Sequence, residues 1–210
     1  MGDREQAIRL DMAKYCGRIY EKNLCVGGEG NISVRISDKK ILVTPTGSCL
    51  GDLGPGDFVA IDINGNPLDK NAPAQSSEAK MHLEVYKRRT DINAVVHCHP
   101  RNALIYAICH KELPWKTHPE VVAFLGEIPT IPYGRPSTVE LAERTASSLP
   151  AGYYAGLMEN HGTITLGGDI KTAYWRTEVL DEFAYICCFA KLIGSPVPIP
   201  ENDISLIRVT

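Results

Sequence analysis

Two periods of apolar residues run along this chain, and they predict its helices and strands. Apolar residues at helical spacing predict helices over residues 4–22, 76–88, 102–110, 139–148 and 169–194. Alternating or short continuous apolar runs predict strands over residues 32–37, 40–44, 58–63, 92–96, 153–158 and 163–166. Helices and strands are interleaved, with hairpin-like strand pairs in the first half. The pattern therefore predicts a three-layer α/β/α sandwich around a mainly antiparallel or mixed sheet.

The length and composition of the chain indicate the number of domains and the cellular compartment. The chain has 210 residues, 44% of them hydrophobic, and no linker or fixed-period repeat divides it, so we expect one domain over residues 1–210. A formal net charge of −3 argues against a nucleic-acid or anionic-membrane partner. No apolar run approaches the ~20 residues that span a bilayer, and the first ten residues lack the apolar region of a signal peptide. Seven cysteines without framework spacing are typical of a reducing compartment, so we expect a cytoplasmic protein.

A histidine pair closes the most apolar of the predicted strands. His97 and His99 follow the run 92–96, and Pro100 comes directly after them. Side chains two residues apart on a strand point to the same face, so the two imidazoles form half of a site for zinc or a similar divalent ion. For this pair alone, a buried histidine beside a solvated one explains the pattern equally well.

Two further residues are candidates to complete such a site. His161 stands between Asn160 and Gly162, in a predicted turn between two strands. Three histidines that leave one coordination position open are typical of catalytic zinc. Glu78 lies near a predicted helix start, where its carboxylate either serves a metal as ligand or base or simply faces the positive end of the helix dipole.

Three segments rich in hydrogen-bond donors lie in the first half of the chain. They are the glycine-rich residues 27–31, the tight turn 44–47 and the serine pair 76–77. Glycine exposes backbone N–H groups to an anion, and a helix start with serines favours phosphate. Each segment alone is explained by turn or capping chemistry. Together they predict a phosphate-binding pocket.

The order and spacing of these motifs point to a known family. The motifs are Gly30-Asn31-Ile32-Ser33-Val34-Arg35, Thr44-Pro45-Thr46-Gly47, Ser76-Ser77-Glu78 with His82, Val95-Val96-His97-Cys98-His99, and Asn160-His161-Gly162. This series resembles the class II aldolase/adducin family, and within it the L-fuculose-1-phosphate aldolases. The likeness extends over nearly the whole chain.

The resemblance implies a metal site, a phosphate site and an assembly. The implied ligands of one divalent ion are His97, His99 and His161, with Glu78 as fourth ligand and base. Zinc is the metal we expect first, and manganese, cobalt and iron are the alternatives. The implied phosphate-binding residues are Gly30, Asn31, Thr46, Gly47, Ser76 and Ser77. The resemblance also implies a homotetramer with active sites at subunit interfaces.

One segment departs from the fuculose phosphate aldolases. Those enzymes carry a His-Tyr pair whose tyrosine acts as acid/base in a neighbouring subunit, but here the segment reads Thr117-His118-Pro119-Glu120. It resembles instead the methylthioribulose-1-phosphate dehydratases, in which a glutamate takes that role. Glu120 is therefore the candidate for the second acid/base, ahead of His118 and Tyr133, and the alternative reading is an exposed carboxylate at a helix start.

These expectations lead to one function and several alternatives. We expect metal-dependent aldol cleavage of a deoxy- or methylthio-pentulose 1-phosphate, or of L-fuculose 1-phosphate, to dihydroxyacetone phosphate and an aldehyde. The first alternative is a methylthioribulose-1-phosphate dehydratase, followed by epimerase and decarboxylase relatives. A non-catalytic adducin-like binding protein is the alternative from another class, and the three histidines argue against it.

Overall fold

The computed structural model describes residues 2–207 and contains seven α-helices and seven strands within that range. The helices are α1 Asp3–Glu21, α2 Ala79–Arg88, α3 Arg101–Ile108, α4 Pro119–Phe124, α5 Val139–Ser148, α6 Ile170–Ile193 and α7 Glu201–Ile207. The strands are β1 Asn31–Ser37, β2 Lys40–Val43, β3 Val59–Ile61, β4 Ala94–Cys98, β5 Thr130–Ile131, β6 Ala155–Met158 and β7 Gly162–Gly167. Within the described range no helix combines the length and the apolar character that crossing a membrane requires.

All seven strands form one sheet, in the order β3-β2-β1-β4-β7-β6-β5. Every neighbouring pair is antiparallel except β5 and β6, which are parallel. The central strand β4 pairs Asn31 of β1 with His97, and Thr163 of β7 with Cys98. This register brings the beginning of β1, the end of β4 and the turn before β7 to the same end of the sheet.

Helices cover both faces of the sheet, which confirms the predicted three-layer fold. Helices α2 and α5 pack together on one face, while α1, α3 and α6 cover the other. Side chains along β4 alternate between the two faces of the sheet, so Val95 packs towards α2 and Val96 packs towards α1. Each fully buried valine or leucine side chain stabilises such a core by ~1.5–3 kcal/mol.

The predicted element boundaries differ from the structure most at α2, which begins at Ala79 rather than at residue 76. The backbone N–H of Ser76 donates to Thr44 O at 3.0 Å, and Gln75 bridges to Pro45. The chain is therefore held beside the end of β2 before the helix begins. Ser76 and Ser77 consequently lie in the turn that enters α2.

Three short elements were not predicted, namely α4, β5 and α7. They have 6, 2 and 7 residues, too few for a hydrophobic period to show. The strand that carries the first histidine also lies two residues later than predicted, at Ala94–Cys98. His97 is consequently part of β4, and His99 follows the end of the strand.

Candidate metal centre and anion pocket

Three histidines from two parts of the chain converge at the end of the sheet. His97 and His99 come from the end of β4, and His161 comes from the turn between β6 and β7. Ring centroids lie 5.0 Å apart for His97 and His99, and 4.7 Å apart for His97 and His161. One nitrogen from each ring lies within 4.8 Å of the others, a cluster that could hold a metal ion.

Glu78, at the N-terminus of α2, completes this cluster. Its carboxylate oxygens lie 3.2 Å from His97 Nε2 and 3.3 Å from His161 Nε2, and His97 Nε2 lies 3.2 Å from His99 Nε2. Ligand atoms at ~2.0–2.1 Å from a tetrahedral zinc ion lie about 3.3 Å from one another. The donor set and its spacing therefore fit one divalent ion.

Hydrogen bonds behind the cluster orient its members. His97 Nδ1 donates to Thr163 O at 2.8 Å, since a carbonyl can only accept, and this leaves the lone pair of Nε2 directed at the cluster. Asn31 donates through Nδ2 to Glu78 Oε2 at 3.1 Å. Glu29 Oε2 lies 3.5 Å from His99 Nδ1. These partners orient His97, Glu78 and His99 within the cluster.

The charges of the cluster favour ionised Glu78 beside unprotonated His99 and His161, whereas the hydrogen bond and charge of Glu78 outweigh the burial of His97 and raise the pKa of that ring. Burial opposes ionisation of Glu78, but the hydrogen bond and charge of His97, together with His161 and Asn31, outweigh it and lower the pKa of Glu78 to about 2. Burial, followed by the charge of His97, lowers the pKa of His161 to about 4. Burial likewise lowers the pKa of His99. Near neutral pH, His99 and His161 thus present unprotonated nitrogens, the form that binds a metal.

Two glycines permit the close packing around the cluster. Gly30 has φ +74°, and a Cβ there would collide with Cys25 Sγ and lie 2.9 Å from the His97 carbonyl. A Cβ on Gly162 would lie 2.6 Å from the Cys98 carbonyl and collide with the His99 ring. Side chains at these positions would displace the two histidines of the β4 end.

A cavity of about 300 Å³ lies in front of the cluster. His99, His161 and Glu78 line one side of it, and fully buried His97 lies behind them. The six residues predicted to bind phosphate all line the same cavity, namely Gly30, Asn31, Thr46, Gly47, Ser76 and Ser77. The structure therefore joins the candidate metal cluster and the candidate phosphate site in one pocket.

Glu120 lies elsewhere on the same subunit. Its side chain is 75% exposed and its Oε2 lies 3.1 Å from His118 Nδ1. Both residues line a separate cavity of about 520 Å³, together with Lys22 and Glu178. The alternative residue Tyr133 is also exposed, and its backbone N–H donates to Glu159 Oε2. Within one subunit, none of the three candidates for the second acid/base lines the histidine cavity.

Sequence reasoning missed three residues that belong to this region. Glu29 and Ser137 line the cavity, and the Thr163 carbonyl orients His97. Glu29 stands inside the glycine-rich segment 27–31, so its position there was a usable signal. Ser137 and Thr163 had none, because each reaches the site through a contact distant in sequence.

Comparisons with known proteins bear on what this pocket does. The family model described as Class II Aldolase and Adducin N-terminal domain matches residues 10–188. L-fuculose phosphate aldolase of Methanocaldococcus jannaschii is 36% identical over 191 residues, which cover 91% of this chain and 98% of that protein. 3-oxo-tetronate 4-phosphate decarboxylase of Haemophilus influenzae is 38% identical over 170 residues, which cover 79% of each chain.

Solved structures share the fold. A solved L-fuculose 1-phosphate aldolase matches with a TM-score of 0.89 at 30% identity, covering 96% of this chain and 94% of that one. YgbL from Klebsiella pneumoniae matches with a TM-score of 0.89 at 27% identity, covering 97% of this chain and 99% of that one.

Proposed function

The chain belongs to the class II aldolase and adducin family, and on that basis we propose that it cleaves a ketose 1-phosphate into dihydroxyacetone phosphate and an aldehyde. The family resemblance inferred from the motifs is confirmed. Its similar curated proteins are aldolases and decarboxylases, so the chain is an enzyme of the lyase type. This sets aside the non-catalytic adducin-like alternative.

One observation carries the proposal: the carboxylate–histidine cluster and the donor-rich pocket share one cavity. Its volume of about 300 Å³ suits a small sugar phosphate. At one side are the ligand-type side chains of His99, His161 and Glu78. Hydroxyl and backbone donors of the kind that bind phosphate line the rest of the cavity. A substrate held by its phosphate would therefore place its carbonyl end near the histidines.

In the proposed cleavage, different groups polarise the carbonyl, accept the C4 hydroxyl proton and transfer the proton at C3. A divalent ion held by the three histidines, with zinc proposed first and manganese, cobalt or iron as alternatives, would polarise the ketose carbonyl. A base takes the proton of the C4 hydroxyl, the C3–C4 bond breaks, and C4 leaves as an aldehyde. The electron pair of that bond passes to the enediolate of dihydroxyacetone phosphate. Glu78, held by Asn31, is proposed to transfer the proton at C3.

A 3-oxo-tetronate 4-phosphate decarboxylase is the second candidate, favoured by the 38% identical relative of that name. Loss of CO₂ from such a substrate breaks C1–C2 and leaves the electron pair next to the C3 ketone. Protonation at C2 then gives dihydroxyacetone phosphate as well. Both reactions pass through the same enediolate, so only the second product distinguishes them.

The deciding experiment follows both products from a panel of substrates. Purified protein, with zinc or manganese added, is incubated with L-fuculose 1-phosphate, 5-deoxyribulose 1-phosphate, 5-methylthioribulose 1-phosphate and 3-oxo-tetronate 4-phosphate. We expect dihydroxyacetone phosphate and an equimolar aldehyde from a ketose 1-phosphate, and loss of both after chelation of the metal. Release of CO₂ from the tetronate alone would support the decarboxylase instead, and dehydration without dihydroxyacetone phosphate would support the dehydratase.

The phosphate pocket gives a separate prediction for Ser77→Ala. A charge-assisted hydrogen bond contributes ~1.5–3 kcal/mol, so we expect binding of a phosphorylated substrate to weaken by roughly 10- to 100-fold. An unphosphorylated ketose should lose little, because it lacks the group that Ser77 binds. Steady-state KM values for both substrates measure this, with exposed Ser147→Ala on α5 as the matched control. Equal losses on both substrates would contradict the assignment.

We further propose a homotetramer with active sites at subunit interfaces. In support, the end of α6 and the segment after it expose large apolar side chains, with Leu192 80%, Ile193 91% and Val197 80% exposed. Burial of such residues against another copy is a common basis of stable assembly.

We propose the cytoplasm as the compartment, because all seven cysteines carry free thiols, as a reducing compartment maintains.

A further inference from the structure

Ser137 joins the anion pocket from a part of the chain that the family motifs do not include. It lies between β5 and α5, and it lines the same cavity as Gly47 and Ser77. Its hydroxyl donates to Ser77 Oγ at 2.9 Å. The segment before α5 therefore forms one wall of the pocket and touches a residue proposed to bind phosphate.

The backbone of Ser137 has a conformation that favours glycine. Its φ is +66°, in the left-handed region that residues with a Cβ rarely occupy. The neighbouring turn holds this shape, because Thr138 Oγ1 donates to Arg135 O at 2.7 Å and accepts from Leu141 N at 3.2 Å. The Ser137 side chain is thus not needed to form the turn. A residue with a Cβ persists in such a conformation only where the surrounding structure holds it there.

The chemistry of two paired hydroxyls indicates that contribution. A serine hydroxyl has one hydrogen to donate and two lone pairs that accept. When Ser137 donates to Ser77, it occupies a lone pair of Ser77 and leaves the single Ser77 hydrogen available. That hydrogen is then free to be donated to an anion in the cavity that both serines line.

From this geometry we infer that Ser137 is a positioning residue of the phosphate site, which orients the Ser77 hydroxyl towards the substrate phosphate. The inference rests on the proposed function, and it extends that function to a residue outside the three donor-rich segments. Ser137 acts through Ser77, so its effect should depend on the Ser77 hydroxyl being present.

Two substitutions at Ser137 separate the effect of the hydroxyl from the effect of the backbone conformation. Ser137→Ala removes the hydroxyl and keeps the disfavoured backbone, whereas Ser137→Gly removes the hydroxyl and relieves the backbone. If the hydroxyl matters, both variants should weaken the binding of inorganic phosphate, measured by calorimetry, by about three- to tenfold. The KM for the phosphorylated substrate should rise by a similar factor, and kcat should stay within about twofold of the parent value. The double variants, which combine Ser77→Ala with either Ser137 substitution, should bind phosphate as weakly as Ser77→Ala alone and no more weakly. Ser147→Ala serves as control, and thermal melting verifies folding.

The other outcomes overturn the inference in distinguishable ways. If Ser77→Ala weakens phosphate binding but both Ser137 variants do not, the positioning role is wrong and the phosphate site stands. If only Ser137→Ala weakens binding, the backbone rather than the hydroxyl is responsible. Additive losses in the double variants would mean that Ser137 does not act through Ser77. If Ser77→Ala itself has no effect on phosphate, the phosphate site of the proposed function fails, and the positioning role fails with it.

Discussion

Replacing His97, His99 or His161 by alanine should remove most of the bound metal and nearly all activity. Each ring supplies one of the nitrogens that converge within 4.8 Å. Loss of a direct ligand should weaken metal binding by more than the ~10- to 100-fold that loss of an outer-shell partner costs. Elemental analysis after dialysis against a weak chelator measures the metal content, and activity is measured on the same samples.

The three variants differ in what they do to folding. His97 is fully buried and donates to Thr163 O, so its loss leaves a cavity and removes a buried hydrogen bond, at a cost of ~0.5–1.5 kcal/mol for the latter. His99 and His161 are partly exposed, so their variants should keep the melting temperature better and serve as the cleaner tests. His110→Gln, which retains a polar side chain against Asn160, is the matched control. Stoichiometric metal in all three alanine variants would refute the proposed metal site.

Glu120→Gln should lower turnover by ~100-fold or more, the effect typical of a lost general acid/base, while metal content stays unchanged. The reason is by elimination. Cleavage needs a group that accepts the C4 proton, and Pro119, which we expect at the position of the tyrosine of the fuculose phosphate aldolases, cannot titrate. Decarboxylation needs no such group at the leaving carbon. The same variant therefore also helps to distinguish the two proposed reactions when it is assayed on both substrates.

The position of Glu120 allows a sharper test of where it acts. It lies in a different cavity from the histidines of its own subunit, so the proposed role requires the metal site of a neighbour. Refolding Glu120→Gln together with Glu78→Gln should restore part of the activity, because mixed assemblies contain some interfaces with both glutamates intact. Light scattering should give four times the mass of one chain. An active monomer, or turnover of Glu120→Gln within about threefold of the parent, would contradict the role, and Tyr133 and His118 would be tested next.

The sequence alone determined the features that depend on local periodicity. Alternation along a strand places His97 and His99 on one face, and the structure has their rings 5.0 Å apart. Interleaved helical and strand periods predicted the three-layer fold, which is confirmed. The predicted roles of the individual site residues stay proposals. What the periodicity did not reveal were α4, β5 and α7, because two to seven residues are too few to establish a period.

Contacts between distant segments were decided only by the tertiary structure. His161 reaches the histidine pair because β7 lies beside β4 in the sheet, an order that no local pattern encodes. Ser76 and Ser77 leave the predicted helix because the end of β2 holds Ser76 through Thr44 O, and a backbone hydrogen bond to a distant strand competes with helix formation. Ser137 meets Ser77 across 60 residues of chain, and its left-handed backbone has no sequence signal. The periodicity of side chains reports which face of an element is buried, whereas the packing of elements decides which side chains meet.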